Sequence, residues 1–158
     1  MKKIRVKRFR YQYLKRIMAT GGPIIIVEDD EDDKSIFHEA LEELCITNKL
    51  IWFTNGPDAF EYLKVTKDKP LIIFSDVNLP KQNGIEFKRH VDNDQHLRLK
   101  SIPFVFFSTS VEQSAVNEAY RQLTVQGFFQ KSYKFQEIKH TINLIIEYWK
   151  TCRHPNLV

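Results

Sequence analysis

The sequence predicts an α/β protein in which helices cover a parallel sheet. From Pro23 onward, short apolar runs rich in β-branched and aromatic residues alternate with longer stretches of helical periodicity. The length of 158 residues suits one domain with a substantial core. The chain is also 42% hydrophobic and 13% aromatic, which excludes a disordered polypeptide. We therefore expect one folded unit built from repeated strand–helix pairs.

Five predicted strands are apolar runs bounded by polar, Gly or Pro residues. They cover residues 24–27, 50–53, 71–74, 102–107 and 125–129. Helices are predicted in the intervals: an apolar face with Phe37 and Leu41 marks the first, and Pro57 opens the second. The third runs from Gly84 to about residue 91, the fourth covers 111–123 and the fifth covers 135–151. We expect the polar stretch 90–100 to extend the third helix and its exit loop.

The positive charge is concentrated at the start of the chain. The formal net charge is +4, but residues 1–17 hold eight basic residues and no acidic one, so the rest carries 16 basic against 20 acidic residues. We predict a disordered basic extension (residues 1–22), a folded domain (23–152) and a C-terminal tail (153–158). Two alternatives for the arm are a tether to nucleic acid or membrane, and a start codon placed too far upstream of Met18. The folded body itself is not expected to bind nucleic acid.

The cellular compartment is predicted from the absence of membrane-spanning, secretory and disulfide patterns in the sequence. No stretch approaches the ~18 apolar residues needed to cross a bilayer, and the basic arm has no apolar run typical of a secretory signal. Only Cys45 and Cys152 occur, too few for a disulfide framework. These features predict a cytoplasmic protein with free thiols and no membrane span.

Polar and ionisable residues follow four of the five predicted strands, where open parallel sheets bind ligands. They are Glu28 and Asp29 after the first strand, Asp76 and Asn78 after the third, Ser108 after the fourth and Lys131 after the fifth. If the first and third strands are neighbours, the carboxylates converge and require protonation or a cation. Mg²⁺ suits such a site because it prefers oxygen ligands.

These residues, with Pro80 and Gly84 completing an Asp-x-Asn-x-Pro-x-x-x-Gly run, resemble the receiver domain of two-component response regulators. The resemblance covers about residues 23–150. It implies a flavodoxin-like, doubly wound (βα)5 fold with a five-stranded parallel sheet of order 2-1-3-4-5. It also implies phosphorylation of Asp76, with Mg²⁺ held by Glu28, Asp29, Asp76 and the backbone carbonyl of Asn78.

The same resemblance implies roles and partners. Ser108 and Lys131 would assist phosphoryl transfer, and Ser108 and Phe128 would form a conformational switch. The phosphoryl group would come from a sensor histidine kinase or a histidine phosphotransfer protein. The output would be a protein target of unknown identity, bound through the fourth helix, fifth strand and fifth helix, and a homodimer is possible. Such a protein catalyses only its own phosphorylation and dephosphorylation.

Three positions depart from the family pattern. Ser132 follows Lys131 where a proline in a cis peptide is usual, so the peptide is either trans or strained. Thr109 is β-branched where a small residue is usual and would crowd the phosphoryl group. Phe128 lacks the hydroxyl of a tyrosine switch, and simple core packing explains it equally well.

Two alternative interpretations remain, one structural and one functional. Residues 30–33 are better explained as a solvated loop in which Asp32 or Asp33 caps the first helix. A haloacid-dehalogenase-type Mg²⁺ phosphatase shares an Asp nucleophile, a hydroxyl and a lysine. That family, however, places its nucleophile after the first strand and a second aspartate two residues later, where this chain has Asn78.

Overall fold

Five parallel strands form one sheet in the order β2-β1-β3-β4-β5. A computed structural model describes residues 21–109 and 111–155. The strands are β1 (Ile24–Val27), β2 (Leu50–Phe53), β3 (Ile72–Ser75), β4 (Phe104–Ser108) and β5 (Gly127–Gln130). The strand order confirms the one implied by the resemblance. Strand β2 lies on one side of β1, whereas β3, β4 and β5 follow in turn on the other side, so the order of the strands switches between β1 and β3.

Within the same residues, six helices pack on the two faces of the sheet. They are α1 (Glu31–Glu43), α2 (Gly56–Val65), α3 (Gly84–Asn93), α4 (Gln95–Lys100), α5 (Gln113–Gln122) and α6 (Phe135–Thr151). Helices α1 and α6 cover one face, and α2 to α5 cover the other. The repeated strand–helix pattern is therefore confirmed.

Helix α4 differs from the prediction. The third helix does extend to Asn93, but Asp94 adopts an extended conformation (ψ 116°) and ends it. The Asp94 carboxylate then accepts a hydrogen bond from the Leu97 backbone N–H at 3.0 Å and so starts a separate helix. Leu97 is buried, which anchors this short helix. The expected extension of the third helix is thus confirmed as far as Asn93, but a short helix stands where an exit loop was expected, because the Asp94 cap starts a new helix.

The last three strands each end one residue later than their apolar runs. Ser75 pairs with Val27 across β1 and β3, and Ser108 pairs with Gln130 across β4 and β5. Apolar composition reports burial, whereas a strand is defined by backbone pairing. The polar residues Ser75, Ser108 and Gln130 are thus held in place by the pairing of the sheet.

The core consists of two clusters separated by the sheet. Strands β1, β3 and β4 are buried on both faces, as expected for a parallel sheet between helical layers. On the α1 and α6 side, Phe74 packs edge to face against Phe37, with 4.9 Å between ring centroids. Burying one such side chain contributes about 1.5–3 kcal/mol, so this layer fixes α1 firmly over the sheet.

Both ends of the described polypeptide contact this core. The Asn48 side chain donates a hydrogen bond to the Gly22 carbonyl at 2.8 Å. Near the other end, His154 is buried and its Nε2 lies 2.7 Å from the Leu71 carbonyl oxygen. Residues 1–20 and 156–158, which include most of the predicted arm and half of the tail, lie outside the described residues. None of the helices described here is long and apolar enough to span a bilayer.

Candidate functional site

The register of the sheet brings four predicted site residues to one edge. Val27 pairs with Ser75, so the following residues, Glu28 and Asp76, stand level at the ends of β1 and β3. The Asp76 N–H donates to the Val27 carbonyl at 2.9 Å, and the Lys131 N–H donates to the Ser108 carbonyl at 2.8 Å. These bonds extend the ladder one step beyond the strands. Backbone pairing alone therefore aligns the site.

The Asp76 carboxylate is oriented by donors on one oxygen. Its side chain is only 10% exposed. Oδ1 accepts hydrogen bonds from Ser108 Oγ at 2.6 Å and from the Asn78 N–H at 3.1 Å. Oδ2 has a longer contact, 3.4 Å, with Lys131 Nζ. Oδ2 is consequently the less tightly held oxygen and the better placed of the two to react.

Helix α3 approaches Asp76 more closely than any side chain would allow. A Cβ on Gly84 would lie 2.1 Å from the Asp76 carbonyl oxygen. The Gly84 N–H donates to the Val77 carbonyl at 2.7 Å and closes the loop. The glycine eight residues after Asp76 is thus required by a close backbone approach, not by an unusual φ.

Lys131 is buried among three carboxylates. Its Nζ donates to Glu28, to Asp33 at 2.7 Å and to Asp76 at 3.4 Å. Burial alone would lower the pKa of Lys131, but Glu28, Asp33 and Asp76 together raise it above its usual value. Lys131 therefore stays charged at the site.

Glu28 is a buried carboxylate whose pKa differs from its usual value. Burial raises its pKa to about 7 although Lys131 opposes the shift, and Asp76 adds to the rise. Its side chain also accepts a hydrogen bond from the Asp30 N–H at 3.1 Å. One ammonium group does not fully compensate these carboxylates, so a further cation near Glu28 would favour its ionised form.

The acidic run after β1 divides into distinct roles. Asp30 caps α1, accepting from the N–H groups of Asp32 at 2.8 Å and Asp33 at 3.1 Å. The prediction that Asp32 or Asp33 caps this helix was wrong, because the helix begins at Glu31 and places the cap one residue earlier. Asp29 is exposed and lines an open cleft of about 510 Å³.

Asp33 is the site residue that sequence reasoning missed. Carboxylate oxygens of Glu28, Asp33 and Asp76 all lie within 4.8 Å of one another. A signal was present in the sequence: Asp33 precedes the buried Phe37 by four residues, which places both on the same face of α1. An acidic residue in the inward stripe of a helix needs a partner, and here that partner is Lys131.

The remaining predicted positions surround this centre. Asn78 and Thr109 line the open cleft together with Asp29. The described residues contain no cis peptide, so the Lys131–Ser132 bond is trans. Phe128 is half-buried and packs on Phe106 with 5.2 Å between ring centroids. Its N–H donates to the Tyr120 hydroxyl at 2.9 Å, which ties β5 to α5.

Two known proteins are similar to the chain over most of their length. It is 29% identical over 130 residues to the probable methanogenesis regulatory protein FilR2 of Methanothrix harundinacea (strain 6Ac), covering 80% of this chain and 82% of that protein. It is 29% identical over 131 residues to the response regulator Rcp1 of Synechocystis sp. (strain ATCC 27184 / PCC 6803 / Kazusa), with 80% and 87% covered.

Solved structures of response regulators also superpose on this chain. A crystal structure of Mn²⁺-bound response regulator Rcp1 superposes with a TM-score of 0.71 at 26% identity, covering 84% of this chain and 96% of that one. The phosphorylated cyanobacterial phytochrome response regulator RcpA superposes with a TM-score of 0.73 at 27% identity, covering 82% and 94%. The family described as the response regulator receiver domain matches residues 24–143. With its strand order and strand-end residues already established, the chain belongs to the response regulator receiver domain family.

Proposed function

We propose that this receiver accepts a phosphoryl group on Asp76, with assistance from Ser108, Lys131 and a divalent cation. Receiver domains are signalling proteins, phosphorylated by histidine kinases, that bind Mg²⁺ or Mn²⁺ at an acidic site. The assignment rests on the different contacts that the two carboxylate oxygens of Asp76 make. Oδ1 receives two short hydrogen bonds, whereas Oδ2 faces the cation Lys131 at 3.4 Å.

The transfer needs little beyond positioning and charge. The Asp76 Oδ2 lone pair forms a bond to phosphorus while the bond from phosphorus to the donor nitrogen breaks, and its electron pair leaves with the donor. Lys131 neutralises charge on the transferred group, and the Ser108 hydroxyl turns from Oδ1 to a phosphoryl oxygen. The product is an aspartyl phosphate. Its hydrolysis at the same centre would return the receiver to its starting state.

Mg²⁺ is the cation that we propose for the site. Glu28, Asp29, Asp76 and the Asn78 carbonyl provide an all-oxygen set, which a hard cation prefers, and the cleft beside them leaves room for water ligands. Burial raises the pKa of Glu28, and the nearby Asp76 adds to the rise, so a cation beside Glu28 would favour its ionised form. When bound, the ion supplies positive charge against the phosphoryl oxygens. The existence of a Mn²⁺-bound form of Rcp1 supports the proposal that this chain binds a divalent cation.

The output is proposed to be a protein contact. In this proposal, Ser108 moves toward the phosphoryl group and Phe128 fills the space that Ser108 leaves. These movements shift the equilibrium between two conformations of the face formed by α5, β5 and α6. Leu144 and Tyr148 on α6 are 57% and 63% exposed and border a hollow beside β5. These two side chains would supply apolar contacts to a partner that docks on this face. A homodimer through this face and a location in the cytoplasm belong to the same proposal.

The competing functions receive less support. Asn78, where a phosphatase of the dehalogenase type needs a second carboxyl, uses its backbone N–H to orient Asp76. Glu28 occupies the position after β1 that such a phosphatase reserves for its nucleophile. The tether hypothesis concerns residues 1–17, which lie outside the described residues. The domain limits at residues 22 and 152 stay predictions.

Intact-mass measurement tests the assignment. Incubation with Mg²⁺ and a small nitrogen–phosphorus donor should add one phosphoryl group to the protein and none to Asp76→Asn. The matched control is Asp32→Asn, which removes an equal charge from an exposed position of the same cleft. Omission of Mg²⁺ should slow the reaction strongly. Persistence of the added mass in Asp76→Asn would exclude this site, and steady release of phosphate from unrelated esters would favour a phosphatase.

A further inference from the structure

Asp33 has a contact that the proposed phosphotransfer does not account for. Its Oδ2 lies 2.7 Å from Lys131 Nζ, closer than Asp76 Oδ2 at 3.4 Å. The two residues are 98 positions apart in the chain. Asp33 also lines the small cavity shared by Glu28, Asp76 and Lys131. The contact therefore joins a buried ammonium group to a carboxylate whose side chain is 31% exposed, at the boundary between the site and solvent.

The backbone restrains Lys131 less than the family pattern implies. A proline after the lysine would fix one backbone dihedral, but Ser132 occupies that position with an ordinary trans peptide. The Lys131 backbone is held by one bond, from its N–H to the Ser108 carbonyl. Four methylene groups separate that bond from the ammonium group, so the side chain needs a second restraint at its far end.

Asp33 is itself well placed to supply that restraint. Its N–H bonds to the Asp30 cap at 3.1 Å, and it lies on the face of α1 that packs on the sheet. The backbone of Asp33 is held in the first turn of α1, whose Phe37, Ala40 and Leu41 are buried against the sheet. Asp33 thereby adds a restraint from α1 to the contacts that Glu28 and Asp76 already make with the Lys131 ammonium.

We infer that Asp33 is a positioning residue that holds the Lys131 ammonium beside Asp76 and so promotes phosphoryl transfer without binding the metal. The inference rests on the proposed function for its kinetic consequence. Its structural content is independent, because it concerns one ion pair between α1 and the end of β5. A carboxylate acting through Lys131 has different consequences from one that ligates the cation.

A double-mutant cycle separates these roles. Asp33→Asn should slow phosphorylation by the small donor about tenfold, the usual cost of losing a group that orients an active one. In a Lys131→Met background, Asp33→Asn should cause no further loss, since the group on which it acts is absent. Asp32→Asn, with the same charge change one residue earlier, should keep the wild-type rate. An equal loss from Asp33→Asn in both backgrounds would overturn the inference.

Two readouts do not depend on turnover. Mg²⁺ affinity, followed by the fluorescence of Trp52 beside the same cavity, should be nearly unchanged in Asp33→Asn; a collapse would make Asp33 a metal ligand instead. The ¹H–¹⁵N signal of the Lys131 ammonium, assigned by its loss in Lys131→Met, should shift or vanish in Asp33→Asn and persist in Asp32→Asn. An unchanged signal in Asp33→Asn would contradict the pairing. If the wild-type protein accepts no phosphoryl group, the proposed function fails, while this spectrum still decides the role of Asp33.

Discussion

Asp76 illustrates how much of this site is set by single residues. Ser108 and the Asn78 N–H orient its carboxylate, and Gly84 lets the start of α3 come against its carbonyl. Each of these residues is small or contributes a backbone group. Larger side chains at the same positions would displace the Asp76 carboxylate, so the local spacing of the motif has a direct steric explanation.

Gly84→Ala tests this explanation. The new Cβ would lie 2.1 Å from the Asp76 carbonyl oxygen, so either α3 or the Asp76 peptide must move. We expect a loss of about 3 kcal/mol in the free energy of unfolding, as for overpacking of a tight interior, and slower phosphorylation. Urea denaturation measures the first effect. Asn93→Ala, at the exposed end of the same helix, should change neither quantity, and an unaltered stability in Gly84→Ala would show that the helix shifts freely.

At the scale of elements, a buried ion pair within α3 bonds to Thr124 in the loop before β5. Lys88 Nζ donates to Asp92 at 2.7 Å and to the Thr124 hydroxyl at 3.0 Å, and it lies 5.0 Å from the centre of the Phe104 ring. Burial raises the pKa of Asp92 less than the hydrogen bonds from Lys88 and Thr124 lower it, so Asp92 is ionised at neutral pH. The pair links the active-site helix to the proposed output face.

Asp92→Asn should be strongly destabilising. It leaves the Lys88 ammonium, only 4% exposed at its side chain, without its counter-charge. Removing one partner of a buried pair costs about 3 kcal/mol or more. Urea denaturation at neutral pH measures the loss, with Glu86→Gln on the exposed side of α3 as control. A change of under about 1 kcal/mol, the range of an exposed pair, would mean that water reaches Lys88 in solution.

At the scale of the whole molecule, the C-terminal segment closes the fold. His154 packs against Trp149 with 5.8 Å between ring centroids, and its Nε2 lies 2.7 Å from the Leu71 carbonyl oxygen at the start of the sheet. Burial lowers the pKa of His154, although the bond to Leu71 opposes the shift. The neutral ring is thus the form that the folded state prefers.

This preference makes stability depend on pH. Because the folded-state pKa lies below the unfolded value of 6.5, the contribution of His154 is fully present above pH 6.5 and is lost as the pH falls through the folded-state pKa. His154→Gln can still donate to Leu71 but does not titrate. The urea midpoint of the wild-type protein should therefore fall more between pH 7.5 and 5.5 than that of the variant. Parallel pH profiles would place the ring in solvent.

Much of the architecture follows from local sequence. The apolar runs located all five strands: β1, β3 and β4 are apolar because they are buried on both faces, and the outer strands β2 and β5 are partly buried. Helix α4 escaped prediction because its start depends on one capping residue, Asp94. The cap of α1 was misplaced for a similar reason: the neighbouring Asp30, Asp32 and Asp33 offer the same chemistry, and only the helix geometry selects Asp30.

The sequence by itself determined the strand–helix alternation and the polar residues at the strand ends, because hydrophobic period and residue type are local properties. Only the tertiary structure decided three contacts. They are the ion pair between Asp33 and Lys131, the hydrogen bonds to one oxygen of Asp76, and the packing of His154 against the core. Those facts depend on the register of strands far apart in the chain and on the rotation of α1 over the sheet. Parallel strands bring distant segments to one edge, and packing then selects which of several chemically equal side chains faces inward.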